Sequence, residues 1–239
     1  MKNSTKCSSS RCASCAGCGD EAIHIAIDGP VASGKGTVAR LLAKRLNIPA
    51  LDTGAMYRAV AVWMIEGGVD LSSESEVEFA CTEIDMEVNI ISGETIVFIN
   101  GGNYTHKIRE NRVSQLASDI SLFPCVRNYL TKLQQKIAET QSFILEGRDI
   151  SSVVLPNAKY KFYLTASVEA RAKRRHAELV AKGQKITLDE VISQVEARDK
   201  QDKERNVAPL VKVKDAIIID NTTLDIEQTL QAFCDIISA

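Results

Sequence analysis

The residues from Gly29 to Thr37 have the types and spacing of a loop that binds phosphate groups. Gly29 and Gly34 enclose four residues and are followed directly by Lys35, the pattern in which backbone N–H groups surround a phosphate chain. The lysine would neutralise charge on the β- and γ-phosphates during phosphoryl transfer. The predicted phosphate-binding loop comprises Gly29, Pro30, Val31, Ala32, Ser33, Gly34, Lys35, Gly36 and Thr37.

Arginines that could bind further phosphate groups follow several separate elements. A guanidinium binds phosphate through two parallel hydrogen bonds, and an enzyme that handles two nucleotides must neutralise two phosphate chains. Each arginine taken alone is more simply a solvated surface charge, but the set beside a phosphate-binding loop predicts a site for two nucleotides. The candidates are Arg58, Arg127, Arg148, Arg171, Arg174, Arg175, Arg198 and Arg205.

Two carboxylates are candidates for holding Mg²⁺, through the phosphates and water. Glu146 follows an apolar strand-like run, and Asp52 follows a short apolar pair. Carboxylate oxygens are ligands that Mg²⁺ prefers. A surface carboxylate at a strand end is an equally simple interpretation of each. Gly36 stands where such loops usually carry Ser or Thr, so the sequence leaves the direct ligands open.

The hydrophobic pattern predicts the fold that must position these side chains. The apolar run 23–28 is typical of a buried parallel strand, and helical periodicity follows the loop. Further strands are predicted at 143–145, 160–164 and 216–219, and helices at about 53–66, 107–118, 124–140, 167–182, 187–204 and 225–237. Strands alternating with helices predict an α/β fold with a parallel sheet covered by helices on both faces.

The segment 84–99 breaks this alternation. Two apolar runs, 84–91 and 95–99, are separated by Ser92, Gly93 and Glu94, which is typical of an antiparallel hairpin. Within an α/β chain, the hairpin predicts an inserted lobe near 70–115. Residues 182–185 contain a glycine between two charged helices, which predicts a turn.

Composition excludes several classes of protein. The chain has 239 residues, 45% of them hydrophobic and 25% charged, with a net charge of −2, so neither global disorder nor a nucleic-acid coat is indicated. The longest apolar run, 59–65, is far shorter than the roughly 18 residues that span a bilayer. No apolar segment typical of a secretory signal follows the start. We therefore expect a cytoplasmic protein with no membrane or nucleic-acid partner.

The cysteines are unevenly distributed. Four of them, Cys7, Cys12, Cys15 and Cys18, lie in the first eighteen residues. They could hold zinc or an iron–sulfur cluster, but no hydrophobic residues around them could pack such a site. A disordered leader over 1–22 is the favoured interpretation.

Taken together, the motifs resemble those of bacterial cytidylate kinases. The Gly-Lys-Gly-Thr form of the loop is the one seen in nucleoside monophosphate kinases. The resemblance covers about 23–239 in order and implies a P-loop NTPase-type sheet with an inserted NMP-binding lobe and a helical lid over about 171–205. The matching segments are 28–37, 51–58, 123–127, 146–149 and 207–210, with Arg198, Asp199, Asp202 and Arg205.

The resemblance also implies roles for single residues. Arg58 and Arg148 would bind the phosphate of the acceptor nucleotide. The pyrimidine would lie among Thr53, Arg127, Asp149 and Arg205. The sugar would contact Ser118, Arg198 and Asp202. The lid arginines Arg171, Arg174 and Arg175 would close over the transferring phosphoryl group. Thr53 replaces a serine common in the family, which keeps the hydroxyl and adds a methyl group.

The expected reaction is phosphoryl transfer from ATP, with Mg²⁺, to CMP or dCMP, carried out by a monomer. Two alternatives remain open at this point. One is a nucleoside monophosphate kinase of broader base choice that also accepts UMP. The other is a nucleotide-binding regulator without turnover, although Lys35 and the acceptor-side arginines are all present.

Overall fold

The structure is a computed structural model that describes residues 22–109 and 113–238. Its strands are β1 (His24–Asp28), β2 (Ala50–Asp52), β3 (Met86–Ile91), β4 (Glu94–Ile99), β5 (Gly102–Asn103), β6 (Phe143–Gly147), β7 (Tyr160–Thr165) and β8 (Ile217–Asp220). Its helices are α1 (Lys35–Leu46), α2 (Thr53–Glu66), α3 (Glu74–Thr82), α4 (Val113–Ile120), α5 (Pro124–Ala138), α6 (Val168–Ala181), α7 (Leu188–Glu204) and α8 (Ile226–Ser238). A 3-10 turn at Lys107–Arg109 and a π turn at Ile150–Val154 complete the described elements.

Five strands form the parallel sheet that the alternation of strands and helices predicts. Their order is β2-β6-β1-β7-β8, and each pairing is parallel. A separate antiparallel sheet has the order β3-β4-β5. The α/β class, the hairpin and the helix over 53–66 are confirmed. The cysteine-rich leader lies outside the described residues.

Two hydrophobic cores lie on the two faces of the parallel sheet, because strand side chains alternate between faces. Ala26 and Leu145 point to the face covered by α2 and α5. Ile25 and Ile144 point to the face covered by α1 and α8. The middle residues of β1 and β6 are therefore apolar. The carboxyl ends of the parallel strands converge at one edge, where the loops between elements can meet.

The antiparallel hairpin shares the first of these cores. Val97 and Ile99 of β4 are buried together with Met56 and Val60 of α2. Thr95, near the start of β4, also accepts a hydrogen bond from the main-chain nitrogen of Asp52, at 3.1 Å. The hairpin is thus anchored beside the edge strand β2, and the division into an inserted lobe stays a prediction.

The sequence analysis did not predict α3, β2 or the π turn. In α3 the buried hydrophobic residues are Val77 and Ala80, too few to give a helical period, and its start depends on a Ser73 cap that accepts from Glu76. Strand β2 has three residues. Short elements of this kind are fixed by packing against their neighbours and carry little local signal.

Helices α6 and α7 form an antiparallel pair with a small core of their own. Ala172 and Leu179 of α6 pack against Val191 and Val195 of α7. The turn predicted at 182–185 is present, and Gly183 adopts a left-handed φ of 79° there. Among the helices within residues 22–109 and 113–238, none is long and apolar enough to cross a membrane.

Asp28, at the end of β1, holds the chain that leaves β6. Its two carboxylate oxygens accept from the main-chain nitrogens of Ile150 and Ser151, each at 2.8 Å, and the Ser151 hydroxyl also donates to it. The carboxylate is almost completely buried, so no water can replace these bonds. One side chain therefore fixes where the segment 146–149 ends.

We expect Asp28→Ala to lower the free energy of unfolding by about 2–4 kcal/mol, because it leaves two buried backbone N–H groups without an acceptor. Denaturant unfolding of the ligand-free chain measures this. Ser151→Ala is the matched control, since it removes one hydroxyl donor and keeps both backbone bonds, and should cost about 1 kcal/mol. Equal losses in the two variants would contradict the role given to Asp28.

Candidate active site

The phosphate-binding loop connects β1 to α1 across the edge of the sheet. A Cβ at Gly29 would lie 2.0 Å from the main-chain oxygen of Leu164, so only glycine lets the loop pass β7. Gly34 has a left-handed φ of 91° and comes directly before α1. The loop therefore leads to a helix N-terminus, where free N–H groups and the helix dipole favour an anion.

The amine of Lys35 lies inside this loop. It donates to the main-chain oxygens of Gly29 at 2.9 Å and Pro30 at 2.8 Å. Burial, together with the positive charge of Arg148, lowers the pKa of Lys35 to about 7. Because a phosphate group would oppose both effects, the loop is arranged to hold the charged amine once a nucleotide is bound.

Glu146 lies against the glycine at position 36. A Cβ at Gly36 would lie 2.8 Å from Oε1 of Glu146, so a Ser or Thr at this position would require the Glu146 carboxylate to shift. Burial, and the negative charge of Asp52, raise the pKa of Glu146 to about 7. A cation beside Glu146 would relieve both effects.

Asp52 has two structural partners of its own. One carboxylate oxygen accepts from the main-chain nitrogen of Ala55 at 3.0 Å and caps α2. The other forms an ion pair with Arg58 at 2.7 Å. Of the two candidate metal carboxylates, Glu146 is therefore the one with no hydrogen bond or ion pair to another side chain within residues 22–109 and 113–238.

A buried pair of opposite charges occupies the far end of the cleft. Arg127 on α5 forms an ion pair with Asp149, and Arg205 lies 3.8 Å from the other oxygen of Asp149. The guanidinium of Arg127 also lies over the ring of Tyr57, 5.6 Å from its centroid. The Arg127 side chain is 3% exposed, so this carboxylate presents acceptor oxygens in a space largely shielded from water.

Asp202 on α7 lies close to three arginine side chains. It accepts from Nε of Arg148 at 2.8 Å and from Nε of Arg198 at 3.4 Å, and Arg205 lies 3.8 Å away. Burial opposes ionisation of this carboxylate, but the charges of Arg148 and Arg198 outweigh it and hold the pKa of Asp202 below its usual value. Asp202 thus links α7 to the end of β6.

Several buried polar atoms around these charges lack a hydrogen-bond partner in the described part of the chain. They are Oγ of Ser118, Nε of Arg127 and Nη2 of Arg205. Buried polar groups in folded proteins nearly always have partners, so each such group requires an explanation. Donors that remain free beside a cavity are the groups that a polar ligand would bind.

One cavity of about 500 Å³ brings most of the predicted site together. Its wall contains the phosphate-loop residues from Val31 to Thr37, with Asp52, Thr53, Arg58, Arg127, Glu146, Arg148, Asp149, Arg175, Arg198, Asp202 and Arg205. Thr53 donates from its hydroxyl to the main-chain oxygen of Glu146 at 2.7 Å. Ser118 is buried behind the wall, next to Ala117, which lines it. A second cavity of about 630 Å³ adjoins the first along Gly36, Asp52 and Arg58.

The three arginines of α6 that the resemblance assigns to a lid differ in position. Arg175 lies on the cavity wall and pairs with Glu178 at 2.8 Å. Arg171 is buried and pairs with Asp199 at 2.7 Å, and Arg174 donates to Asn221. Neither Arg171 nor Arg174 lines the cavity.

Sequence reasoning gave no site role to three residues of this region: Tyr57, Asp199 and Asn221. Tyr57 and Asp199 belong to the matching motifs and lie next to Arg58 and Arg198 in sequence, which is the signal that could have assigned them to the site. Asn221 follows the last strand, at the carboxyl edge of the sheet. That position is a general signal for ligand-binding loops in α/β folds.

The comparisons with known proteins agree with this geometry. The sequence model of a family described as cytidylate kinase matches residues 25–239. A cytidylate kinase of Thermosipho melanesiensis is 48% identical over 214 residues, which are 90% of this chain and 96% of that protein. A cytidylate kinase of Thermotoga maritima is 45% identical over 207 residues, covering 87% of this chain and 93% of that protein.

A solved structure shows the fold alone. The crystal structure of an uncharacterized protein from Eubacterium ventriosum superposes with a TM-score of 0.51 at 14% identity, covering 91% of this chain and 99% of that one.

Glu146→Gln should change how stability depends on pH. The folded pKa of Glu146 lies near 7, above its usual 4.5, so its stabilising contribution is full below pH 4.5 and is lost as the pH rises through 7. The variant lacks this loss, so its stability relative to wild type should increase by about 2 kcal/mol between pH 5 and pH 7. Denaturant unfolding of the ligand-free chains at both pH values measures it, and parallel profiles would contradict the raised pKa.

Proposed function

The chain belongs to the cytidylate kinase family, whose reaction is phosphoryl transfer from ATP to CMP, and we propose that the cleft described above carries out this reaction on CMP and dCMP. The observation that carries the proposal is the joint placement of a phosphate-binding loop and the buried Arg127–Asp149–Arg205 group on one cavity wall. The first suits a triphosphate, and the second suits a base with both donors and acceptors.

The loop and Lys35 would hold the phosphates of ATP. Backbone N–H groups of Gly34 to Thr37 lie at the N-terminus of α1, and the amine of Lys35 is already within the loop. Phosphoryl transfer requires in-line placement and stabilisation of spread negative charge rather than covalent chemistry by the protein. Lys35 supplies positive charge at the transferring group.

Arg58 and Arg148 would bind the acceptor phosphate. Both line the cavity between the loop and the Asp149 group, which is where the acceptor phosphate must lie if the base reaches Asp149. Each guanidinium is paired with a carboxylate in the ligand-free chain, Arg58 with Asp52 and Arg148 with Asp202. These pairings fix the orientation of both side chains before a nucleotide binds.

Asp149 would distinguish cytosine from uracil. Cytosine carries an amino donor where uracil carries a carbonyl acceptor. A carboxylate accepts from the amine and would face an unpaired oxygen in uracil. Arg127 and Arg205 have free N–H groups that would donate to the remaining ring acceptors. Ser118, Arg198 and Asp202 would contact the sugar, and the free hydroxyl of Ser118 is consistent with that role.

Among the lid arginines, Arg175 is the one positioned to contact the transferring phosphoryl group first, because it lies on the cavity wall. Arg171 and Arg174 would have to exchange Asp199 and Asn221 for phosphate oxygens. In this proposal α6 and α7, over 171–205, form the lid that excludes water, and 70–115 forms the acceptor lobe.

Mg²⁺ is the metal that this site fits best. Glu146 offers a carboxylate beside Gly36 whose raised pKa a cation would restore, and Asp52 lies close enough to affect that pKa. These hard oxygen donors suit Mg²⁺, which keeps several waters and binds substrate phosphates directly. When bound, Mg²⁺ supplies charge neutralisation at the phosphate oxygens.

A coupled ADP-release assay with CMP, dCMP, UMP and AMP tests the function. We expect Lys35→Met to lower kcat at least about a hundredfold with each active acceptor, because it removes charge stabilisation at the reacting centre. Lys44→Met, which removes an exposed lysine of the same helix, is the matched control and should keep wild-type kcat. A folded Lys35→Met enzyme with near-wild-type kcat would refute the assignment.

Asp149→Asn should narrow the preference for CMP over UMP by about ten- to hundredfold in kcat/KM, because the amide can donate to the uracil oxygen and no longer repels it. Arg58→Ala is the matched control: phosphate is common to both acceptors, so kcat/KM should fall by the same factor for each. Steady-state kinetics of both variants decide the matter. If Asp149→Asn depresses CMP and UMP equally, Asp149 has a structural role instead.

A further inference from the structure

The middle of the phosphate-binding loop has an unfavourable backbone conformation that is held from outside the loop. Ala32 has a φ of 58°, in the left-handed region that residues with a Cβ rarely adopt. Its two neighbours are both fixed through their main-chain oxygens. Val31 accepts from Nη1 of Arg171 at 3.0 Å, and Ser33 accepts from Nδ2 of Asn221 at 3.0 Å. These two contacts hold the main chain on both sides of Ala32.

Asn221 connects this loop to the lid with a single side-chain amide. Its Nδ2 donates to the oxygen of Ser33, and its Oδ1 accepts from Nη1 of Arg174 at 2.9 Å. A second nitrogen of Arg174 donates to the main-chain oxygen of Asn221 at 2.6 Å. A carbonyl needs a donor and a guanidinium needs an acceptor, so the two partners determine which way the amide faces.

Asn221 itself is held firmly. It is 3% exposed, and its main-chain nitrogen donates to the oxygen of Thr165 at 2.8 Å, at the end of β7. The side chain therefore extends from the edge of the central sheet and not from a mobile surface loop. Its Nδ2 faces the phosphate-binding loop and its Oδ1 faces α6. In the proposed function these two parts of the site move relative to one another.

We propose that Asn221 is a positioning residue that preorganises the phosphate-binding loop for ATP and holds Arg174 in the absence of nucleotide. The inference rests on the proposed function, since it concerns the same ATP site. Asn221 does not line the cavity, so it acts through Ser33 and Arg174 and not on the substrate. Nucleotide phosphates would draw Arg174 away from Asn221, while the contact with Ser33 remains.

The test measures the Kd of ATP by calorimetry in the absence of an acceptor nucleotide. Asn221→Leu removes both contacts with little change in volume and should weaken ATP binding by about tenfold. Asn221→Asp keeps an acceptor for Arg174 but places a second oxygen against the oxygen of Ser33, and should weaken binding at least as much. The KM for CMP should change less than twofold in both variants, because the acceptor side has other residues.

A double variant separates loop positioning from packing. Ala32→Gly removes the conformational penalty at position 32, so adding it to Asn221→Leu should recover most of the lost ATP affinity. Thr222→Val is the matched control in the same turn: Thr222 accepts from the main-chain nitrogen of Ser167 and contacts neither Ser33 nor Arg174. It should lower Tm and leave the Kd of ATP within twofold of wild type.

Three results would overturn the proposal. They are an unchanged Kd of ATP in both Asn221 variants, an equal loss in Thr222→Val, and no recovery on adding Ala32→Gly. Failure of the proposed function gives a different pattern, because the wild-type chain would then release no ADP with CMP while the ATP affinities of the variants would still report on Asn221.

Discussion

Consecutive residues at the end of β6 must place three charged side chains in three directions, and the rest of the site is arranged around that constraint. Glu146 lies against the start of α1, Arg148 pairs with Asp202 of α7, and Asp149 pairs with Arg127 of α5. The constraint falls on Gly147, where a Cβ would lie 2.7 Å from a side-chain carbon of Ile150 and 2.9 Å from the hydroxyl of Thr53. β6 lies between β1 and β2, so its end is the position from which all three directions can be reached.

Burial explains why these charges are so fully paired before any nucleotide is present. A buried charge without a partner is strongly destabilising, whereas a buried pair is close to neutral in its effect on stability. Asp149 and Asp202 therefore serve the ligand-free chain by balancing Arg127, Arg148 and Arg198. The same carboxylates hold the guanidinium groups in fixed orientations, which lowers the entropy lost when a phosphate or a base binds.

The long helices and strands, and the site residues that follow them, could be predicted from the sequence. The contacts between distant segments could not. The helix at 53–66 was predictable because a continuous apolar face leads out of a clear motif, and it is observed over the same residues. The two carboxylates proposed to hold Mg²⁺ could be named because each follows a short apolar run. The partners could not: nothing local to Arg171 indicates that it contacts Val31, 140 positions away in sequence, and nothing local to Asn221 indicates Ser33.

The contacts of Arg171 and Arg174 connect the shape of the phosphate-binding loop to the orientation of α6. Residues three apart lie on the same face of a helix, so α6 directs both guanidinium groups toward the phosphate-binding loop together. One reaches the oxygen of Val31 directly, and the other reaches Ser33 through Asn221. In the proposed function, a rotation of α6 that brings these arginines to the phosphates would break the contacts of Arg171 with Val31 and of Arg174 with Asn221. The free energy of that movement would include the loss of one of the two contacts that flank Ala32, and it would depend on how strongly the bound phosphates replace the broken contacts.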